Sequence, residues 1–226
     1  MDIKMHYYEK GSGTPLLMIH GNSETGEYFV NQVDCFAKKY RVICPDSRAH
    51  GKTPRGTKPL RIRQMAEDYI AFMDELGIEK ADILGFSDGG NIAIFMAARH
   101  PERVGKLILN GANLNNDGAD PEIVAYVTAE YAKALEEAKR DPAAVVKAEI
   151  LDLMVDDPNI DPSELRKIKS PTLVLAGTKD LILKEHTELI ASLIDGAELA
   201  FVKGDHFCAA GNPEEFNSVV AHFLAK

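Results

Sequence analysis

The sequence predicts an α/β fold built on a mostly parallel sheet, because two patterns agree. Seven short runs with strand composition alternate with longer segments in which apolar residues recur every three or four positions. Several of the short runs are apolar throughout, which is typical of strands buried on both faces between helices. Strand and helix therefore alternate along the chain, as the α/β class requires.

Each element follows from its local pattern. Helical spacing is present at 65–76, 92–98 and 189–194. A Gly-Ser-Gly turn follows the first strand-like run closely enough to predict a hairpin at an antiparallel edge, so we expect a mixed sheet. The strand-like runs, in chain order, are IKMHYYE, PLLMIHG, YRVICPD, ADILGFS, GKLILNGA, SPTLVLAGT and AELAFVKGD.

One long segment interrupts the alternation. Residues 113–169 are rich in helix-forming patterns and contain four prolines, at positions 121, 142, 158 and 162. We interpret this segment as a helical insertion. A chain of 226 residues has room for one sizeable core and is short for two. The expected organisation is therefore a single domain over 1–226 that carries a helical insertion at about 113–169.

Composition excludes several classes of function. Acidic residues outnumber basic ones 35 to 26, for a formal charge of −9, and no basic run has aromatics interleaved. A nucleic acid or an anionic membrane is therefore not expected as a partner. No apolar run approaches the roughly 18 residues of a bilayer span, and no basic-then-apolar leader is present, so a cytoplasmic protein is expected. Cys35, Cys44 and Cys208 are scattered without a CxxC pair, and neither disulfides nor a metal site are expected.

A single serine stands between two glycines where a strand-like run ends and a helical pattern begins. Ser87 lies in GFSDGG, with Gly85 and Gly89 at G-x-S-x-G spacing. Without Cβ atoms, these glycines let the chain pass close to itself and hold Ser87 in a sparsely populated conformation, its hydroxyl projecting from the sheet. A helix-capping role would explain the serine but not both glycines. Ser87 is the candidate nucleophile.

A serine hydroxyl needs a general base, and seven histidines compete for that role. His206 follows the last strand-like run, where a loop at the carboxyl end of the sheet would bring it over Ser87. His20 also ends a strand-like run, but it opens HGNSE and is better interpreted as shaping that loop. His50 lies in the turn SRAHGKT. We therefore predict His206 as the base.

The base needs an acid that orients it. Asp180 ends TLVLAGTKD, and in chain order it lies between Ser87 and His206, as in the order serine, acid, histidine. Asp117, in the loop NLNNDG after an earlier strand, is the alternative. Asp205 is adjacent to the histidine and would point its side chain elsewhere.

A tetrahedral intermediate also needs donors for its oxyanion. We predict the backbone N–H of Asp88, which follows the nucleophile at the start of a helix. The second donor is predicted in the loop after LLMIHG, at Asn22 or alternatively Ser23. The Asp88 carboxylate itself has two interpretations: it complements the helix dipole, or it pairs with a cationic group of the substrate.

Taken together, these motifs resemble the α/β-hydrolase fold superfamily: HGN at the oxyanion loop, DSRAHGKT, GFSDGG at the nucleophile, GTKD at the acid and GDH at the histidine. The resemblance spans nearly the whole chain. It implies about eight strands, a short cap inserted at the helical interruption, and no metal or organic cofactor. The chain departs from the family pattern at Ala49, where glycine is usual, and at Asp88, where methionine or glutamine is frequent.

The expected function is that of a serine esterase, a hydrolase that cleaves a carboxylic ester or related acyl bond of a small molecule through an acyl-enzyme on Ser87. Two alternatives remain open. The same residues serve C–C bond hydrolases, lyases and perhydrolases, and the fold also serves as a non-catalytic ligand receptor. A homodimer is possible from the apolar residues of the cap.

Overall fold

The computed structural model describes residues 2–226, with residue 143 described by its backbone alone, and these residues form one seven-stranded sheet with helices on both faces. The strands are β1 (Tyr7–Lys10), β2 (Thr14–Ile19), β3 (Tyr40–Pro45), β4 (Ala81–Phe86), β5 (Val104–Asn110), β6 (Thr172–Gly177) and β7 (Glu198–Val202). The helices are α1 (Val30–Phe36), α2 (Ile62–Glu75), α3 (Asp88–Arg99), α4 (Pro121–Ala138), α5 (Ala143–Val155), α6 (Pro162–Leu165), α7 (Lys184–Leu193), α8 (Cys208–Gly211) and α9 (Pro213–Leu224).

The sheet is mixed, as predicted, but the hairpin prediction is wrong. The strand order is β1-β3-β2-β4-β5-β6-β7, and β1 pairs antiparallel with β3 instead of with β2. Gly11 and Gly13 have φ of 85° and 106°, and the chain there passes close to backbone carbonyl groups of residues 37–40, at the start of β3. Residues 16–19 of β2 are fully buried, so β2 takes an interior position with parallel partners on both sides. The described residues form seven strands, where the resemblance implied about eight.

The sheet separates two apolar clusters, and β2 contributes to both. Leu17 and Ile19 face the cluster that contains residues of α2, α3 and α7, whereas Leu16 and Met18 face the cluster that contains residues of α1 and α9. Side chains of a strand alternate between the two faces of its sheet. A strand that is apolar at every position therefore packs against the helices on both faces of the sheet. This explains why apolar and polar residues do not alternate in the central strands.

Helices α4, α5 and α6 lie between β5 and β6, within the segment 113–169, and α4 packs against α5. The division into one domain with a cap over about 113–169 stays a prediction. Within residues 2–226, no helix is long and apolar enough to cross a membrane. Cys44 and Cys208 are buried free thiols, and Cys35 is half-buried.

The stretch DSRAHGKT is held by a buried arginine. Arg48 is 1% exposed and forms a two-bonded ion pair with Asp68, at 2.6 and 2.8 Å, and a second pair with Asp2 at 2.6 Å. The next residue, Ala49, has φ of 64°, a left-handed conformation that favours glycine. This turn therefore stores strain at one of the positions where the chain departs from the family pattern.

Replacing Ala49 with glycine should stabilise the protein. Glycine removes the strain of the left-handed conformation, but it also removes one methyl group and gives the unfolded chain more conformational freedom. The first effect is the larger, so the free energy of unfolding should increase by about 1 kcal/mol. Ala37 is also half-buried but has φ of −61°, so Ala37→Gly is the matched control and should destabilise. Urea unfolding of both variants measures the difference. A loss of stability in Ala49→Gly equal to that in Ala37→Gly would contradict the strain.

Candidate active site

Ser87 occupies the sharp turn between β4 and α3. Its φ and ψ are 52° and −122°, a conformation that costs about 1 to 3 kcal/mol for a residue with a side chain. A Cβ on Gly85 would lie 2.3 Å from the carbonyl oxygen of Gly89, and one on Gly89 would lie 2.1 Å from that of Ile19. No side chain fits at either glycine. The close approach predicted from G-x-S-x-G is therefore present, and it leaves Ser87 half-buried.

Asp180 and His206 form a buried pair. His206 Nδ1 lies 2.6 Å from Asp180 Oδ1, and the same carboxylate accepts the backbone N–H groups of Gly177 and Ile182 at 3.0 and 2.9 Å. Burial alone would raise the pKa of Asp180, but the hydrogen bond and charge of His206 and the two backbone donors hold that pKa below its ordinary value. An ionised carboxylate only accepts hydrogen bonds, so Nδ1 of His206 carries a proton and Nε2 of the neutral ring is left as a base.

This histidine lies at the same end of the sheet as the serine. The His206 ring is 4.8 Å from the ring of Phe86, the residue before Ser87. A Cβ on Gly111, which follows β5, would lie 2.8 Å from Cε1 of His206. The loops after β4, β5, β6 and β7 thus converge on one small volume, as expected at the carboxyl ends of parallel strands.

The other candidate acids lie elsewhere. Asp117, in the turn 116–118, acts on His186: burial lowers the pKa of His186 and the charge of Asp117 opposes that effect. Asp205 accepts the backbone N–H of Phe207 at 2.9 Å and so closes its own turn. Of the three aspartates, Asp180 is the one that contacts His206.

The loop after β2 is oriented by a second histidine. His20 Nε2 accepts the backbone N–H of Ser47 at 2.9 Å, and Nδ1 donates to the carbonyl of Gly21 at 2.8 Å. Burial, with the neighbouring His50, lowers the pKa of His20 to about 3, so the ring stays neutral. The Gly21 carbonyl and the Asn22 N–H belong to one planar trans peptide and point in opposite directions. His20 therefore sets the direction in which Asn22 N–H points.

The predicted oxyanion donors are backbone N–H groups that none of the other described residues uses. The backbone N–H groups of Asn22, Ser23 and Asp88 form no hydrogen bond with any residue between 2 and 226. A Cβ on Gly21 would lie 3.1 Å from Cβ of Ser87, so the loop comes directly against the nucleophile. Asp88 follows Ser87 directly, and the side chain of Asn22 bonds to Asp88, so these two candidates lie beside Ser87. Asn22 and Ser23 remain alternatives for the second donor.

A contact that the sequence analysis missed joins this loop to the cap. The Asn22 side-chain amide donates to Asp88 Oδ2 at 2.9 Å and to the carbonyl of Ile150, in α5, at 2.8 Å. Asp88 is 5% exposed, and burial raises its pKa to about 7 although the bond from Asn22 lowers it. Asn22 and Asp88 are 66 residues apart in the sequence, and Asn22 and Ile150 are 128 residues apart. No local sequence pattern could therefore reveal these contacts.

A narrow cavity opens beside Ser87 under the cap. Its polar lining includes Asp88 and Asn116, and its apolar lining includes Val127 and Met154. Within the described part of the chain, no arginine or lysine lines this cavity. The same residues 2–226 contain no group of three or more histidines, cysteines or carboxylates placed to hold a metal ion.

The chain is similar in sequence and structure to known hydrolases. The model of the α/β hydrolase fold family matches residues 14–129. A 2-hydroxymuconate semialdehyde hydrolase from Pseudomonas sp. (strain CF600) is 30% identical, over 99% of this chain and 91% of the relative. A proposed carbamate hydrolase from Caulobacter sp. (strain K31) is 27% identical, over 93% and 90%. The enol-lactonase of Burkholderia xenovorans LB400 superposes with a TM-score of 0.84 at 23% identity, over 99% and 97% of the two chains.

The chain belongs to the α/β hydrolase fold family, and it is a hydrolase of that family. The fold class predicted from the sequence is confirmed. The names of the three relatives refer to three different kinds of substrate, so membership alone leaves open which bond this enzyme cleaves.

The raised pKa of Asp88 predicts a pH-dependent gain in stability for Asp88→Asn. An aspartate whose pKa rises from 3.8 to about 7 on folding binds more protons in the folded state than in the unfolded state. The wild-type protein therefore loses stability as the pH rises from about 4 to 7, because the buried carboxyl group must ionise. Asparagine keeps an acceptor for Asn22 and carries no charge. The variant should match the wild type near pH 4 and exceed it at pH 8, by on the order of 2 to 4 kcal/mol in the free energy of unfolding.

The control for this measurement is Asp34→Asn. The Asp34 carboxylate is exposed and bonded to Lys10 at 2.7 Å, which lowers the pKa of Asp34, so this variant should gain no stability above pH 4. Urea titrations from pH 4 to 8 compare the two variants with the wild type. A pH-independent difference for Asp88→Asn would show that Asp88 keeps the same charge in the folded and unfolded states.

Proposed function

We propose that this protein is a serine hydrolase that cleaves a carboxylic ester or related acyl bond of an uncharged small molecule through an acyl-enzyme on Ser87. The observation that carries the proposal is the buried Asp180–His206 pair, 2.6 Å between oxygen and nitrogen, which orients His206 at the same strand ends as Ser87 and makes Nε2 the basic nitrogen of the neutral ring. Free backbone N–H groups adjacent to Ser87 supply the remaining requirement of acyl transfer.

In the acylation step, Ser87 Oγ attacks the substrate carbonyl while His206 Nε2 removes its proton. The developing oxyanion is bound by the N–H of Asp88 and by that of Asn22 or Ser23. Asp180 stabilises the imidazolium that forms and keeps the ring in place. His206 then returns the proton to the leaving alcohol, and the acyl group remains on Ser87.

In the deacylation step, water takes the place of the alcohol. His206 Nε2 removes a proton from this water as it attacks the acyl carbon, and the same N–H groups bind the second oxyanion. Collapse of the intermediate breaks the bond to Ser87 Oγ, which recovers its proton from His206. The products are a carboxylic acid and the free enzyme.

The lining of the cavity favours an uncharged substrate. A muconate-type substrate carries a carboxylate, and the residues described around the cavity include Asp88 but no arginine or lysine that would pair with such an anion. The alternative is hydrolysis of a C–C bond, which the 30% identity to the 2-hydroxymuconate semialdehyde hydrolase favours. Both reactions use the same nucleophile and base, so the substrate decides between them.

The proposal predicts that a fluorophosphonate labels Ser87 and that p-nitrophenyl acetate is hydrolysed. Peptide mass mapping locates the label, and Ser87→Ala serves as the blank for both experiments. Hydrolysis by Ser87→Ala at the wild-type rate would exclude Ser87 as the nucleophile. Consumption of 2-hydroxymuconate semialdehyde with a higher kcat/KM than every ester tried would favour the C–C reaction instead.

A second prediction separates the two candidate acids. Asp180→Asn should lower kcat for p-nitrophenyl acetate by roughly 10³- to 10⁴-fold, because the amide no longer keeps a proton on His206 Nδ1. Asp117→Asn, which alters the carboxylate that acts on His186, should leave kcat close to that of the wild type. The opposite pattern would assign the role of the acid to Asp117.

A further inference from the structure

A groove lies on the outer side of the cap, between α4 and α5, and it ends beside Ser23 of the oxyanion loop. Apolar side chains dominate its lining, among them Tyr126, Val146 and Leu151. Tyr126 lines this groove and is 64% exposed. Apolar side chains that together line a surface groove indicate a place where a ligand can bind.

The groove and the cavity at Ser87 are neighbouring spaces that share two lining residues. Val127 and Met154 line both spaces, and each is half-buried. Methionine is unbranched, with several rotatable bonds, and adapts its shape to what lies next to it. Val127 and Met154 are thus the side chains that a continuous path from Ser87 to the surface would have to pass, and Met154 is the more adaptable of the two.

We propose that the two spaces join along this path into a channel that binds the acyl chain of the substrate, so that the enzyme prefers esters of unbranched apolar acids over acetate. The inference rests on the proposed function, because it assigns a substrate class to the same Ser87. The carbonyl carbon lies at Ser87, the first carbons of the chain lie in the cavity, and the rest passes Met154 into the groove between α4 and α5.

The position of the base assigns the channel to the acyl side. His206 must give its proton to the leaving alcohol, so the alcohol lies against His206. Among the described residues, His206 lines neither the cavity nor the groove. The proposal therefore places the alcohol on the His206 side of Ser87 and the acyl part of the substrate in these two spaces.

The charges at the edge of the groove are already paired. Lys147 lies 3.2 Å from Glu137, and Glu130 lies 2.6 Å from Lys133. A charged ligand would have to compete with these partners, whereas a hydrocarbon chain needs only the apolar lining. Burial of each methylene adds about 0.8 kcal/mol, or roughly fourfold, to binding when water is excluded completely. An open groove gives a smaller increment.

The test is a series of p-nitrophenyl esters from acetate to octanoate. For the wild type, kcat/KM should rise roughly two- to fourfold per added methylene until the groove is filled. Val146→Trp fills the groove without touching the cavity and should lower the ratio of kcat/KM for octanoate to that for acetate by about tenfold or more. Val145→Trp is the matched control, because Val145 is exposed on the same helix and does not line the groove; its ratio should equal that of the wild type.

Two further variants keep the test decisive if Val146→Trp does not fold. Tyr126→Ala removes an exposed wall of the groove and should lower the same ratio several-fold, whereas Leu135→Ala, at an exposed position of α4 away from the groove, should not. Met154→Ala shortens a side chain that lines both spaces and should raise the ratio.

The outcomes separate this inference from the proposed function. Equal kcat/KM for acetate and octanoate, or equal ratios in Val146→Trp and Val145→Trp, would overturn the acyl channel while Ser87 still hydrolyses esters. If acetate is not hydrolysed and Ser87 is not labelled, the proposed function fails, and the acyl channel fails with it.

Discussion

The site depends on one contact between backbones, where the first turn of α3 meets the end of β2. A Cβ on Gly89 would lie 2.1 Å from the carbonyl of Ile19, so the helix can approach this closely only because there is no side chain at that position. The contact brings the start of α3, with Ser87 and the Asp88 N–H, against the loop that carries Asn22. A helix displaced outward by one side chain would separate Ser87, the proposed nucleophile, from the proposed oxyanion donor in the loop after β2.

Two histidines serve this arrangement in different ways. Asp180 binds Nδ1 of His206, and in the proposed mechanism the other ring nitrogen, Nε2, acts as the base. Both ring nitrogens of His20 are occupied by backbone groups, and burial lowers its pKa to about 3. His20 therefore keeps one tautomer across the neutral pH range, and the peptide between Gly21 and Asn22 keeps its orientation whatever the protonation of His206.

Local pattern predicts much of this molecule. The seven strand-like runs all form strands, and Ser87, Asp180 and His206 could be chosen because each follows a strand and their chain order matches that of the fold. The pairing of the strands could not be predicted from local pattern. The neighbour of β1 depends on which of the other strands is buried on both faces, and that strand, β2, takes an interior position. The bond from Asn22 to Ile150 spans 128 residues, and side-chain contacts of that range leave no trace in composition or spacing.

Helix α4 covers Ser87 yet adds little to the stability of the sheet. Of its 18 residues, all of which the structure describes, Ala134 alone is fully buried. Substitutions at exposed positions usually change the free energy of unfolding by about 0.5 kcal/mol or less. Substitutions in this helix can therefore change the lining of the cavity at little cost in stability, while Ser87, Asp180 and His206 stay at the ends of the sheet strands. Descendants of one ancestral enzyme can diverge in what they accept without first acquiring compensating mutations in the core.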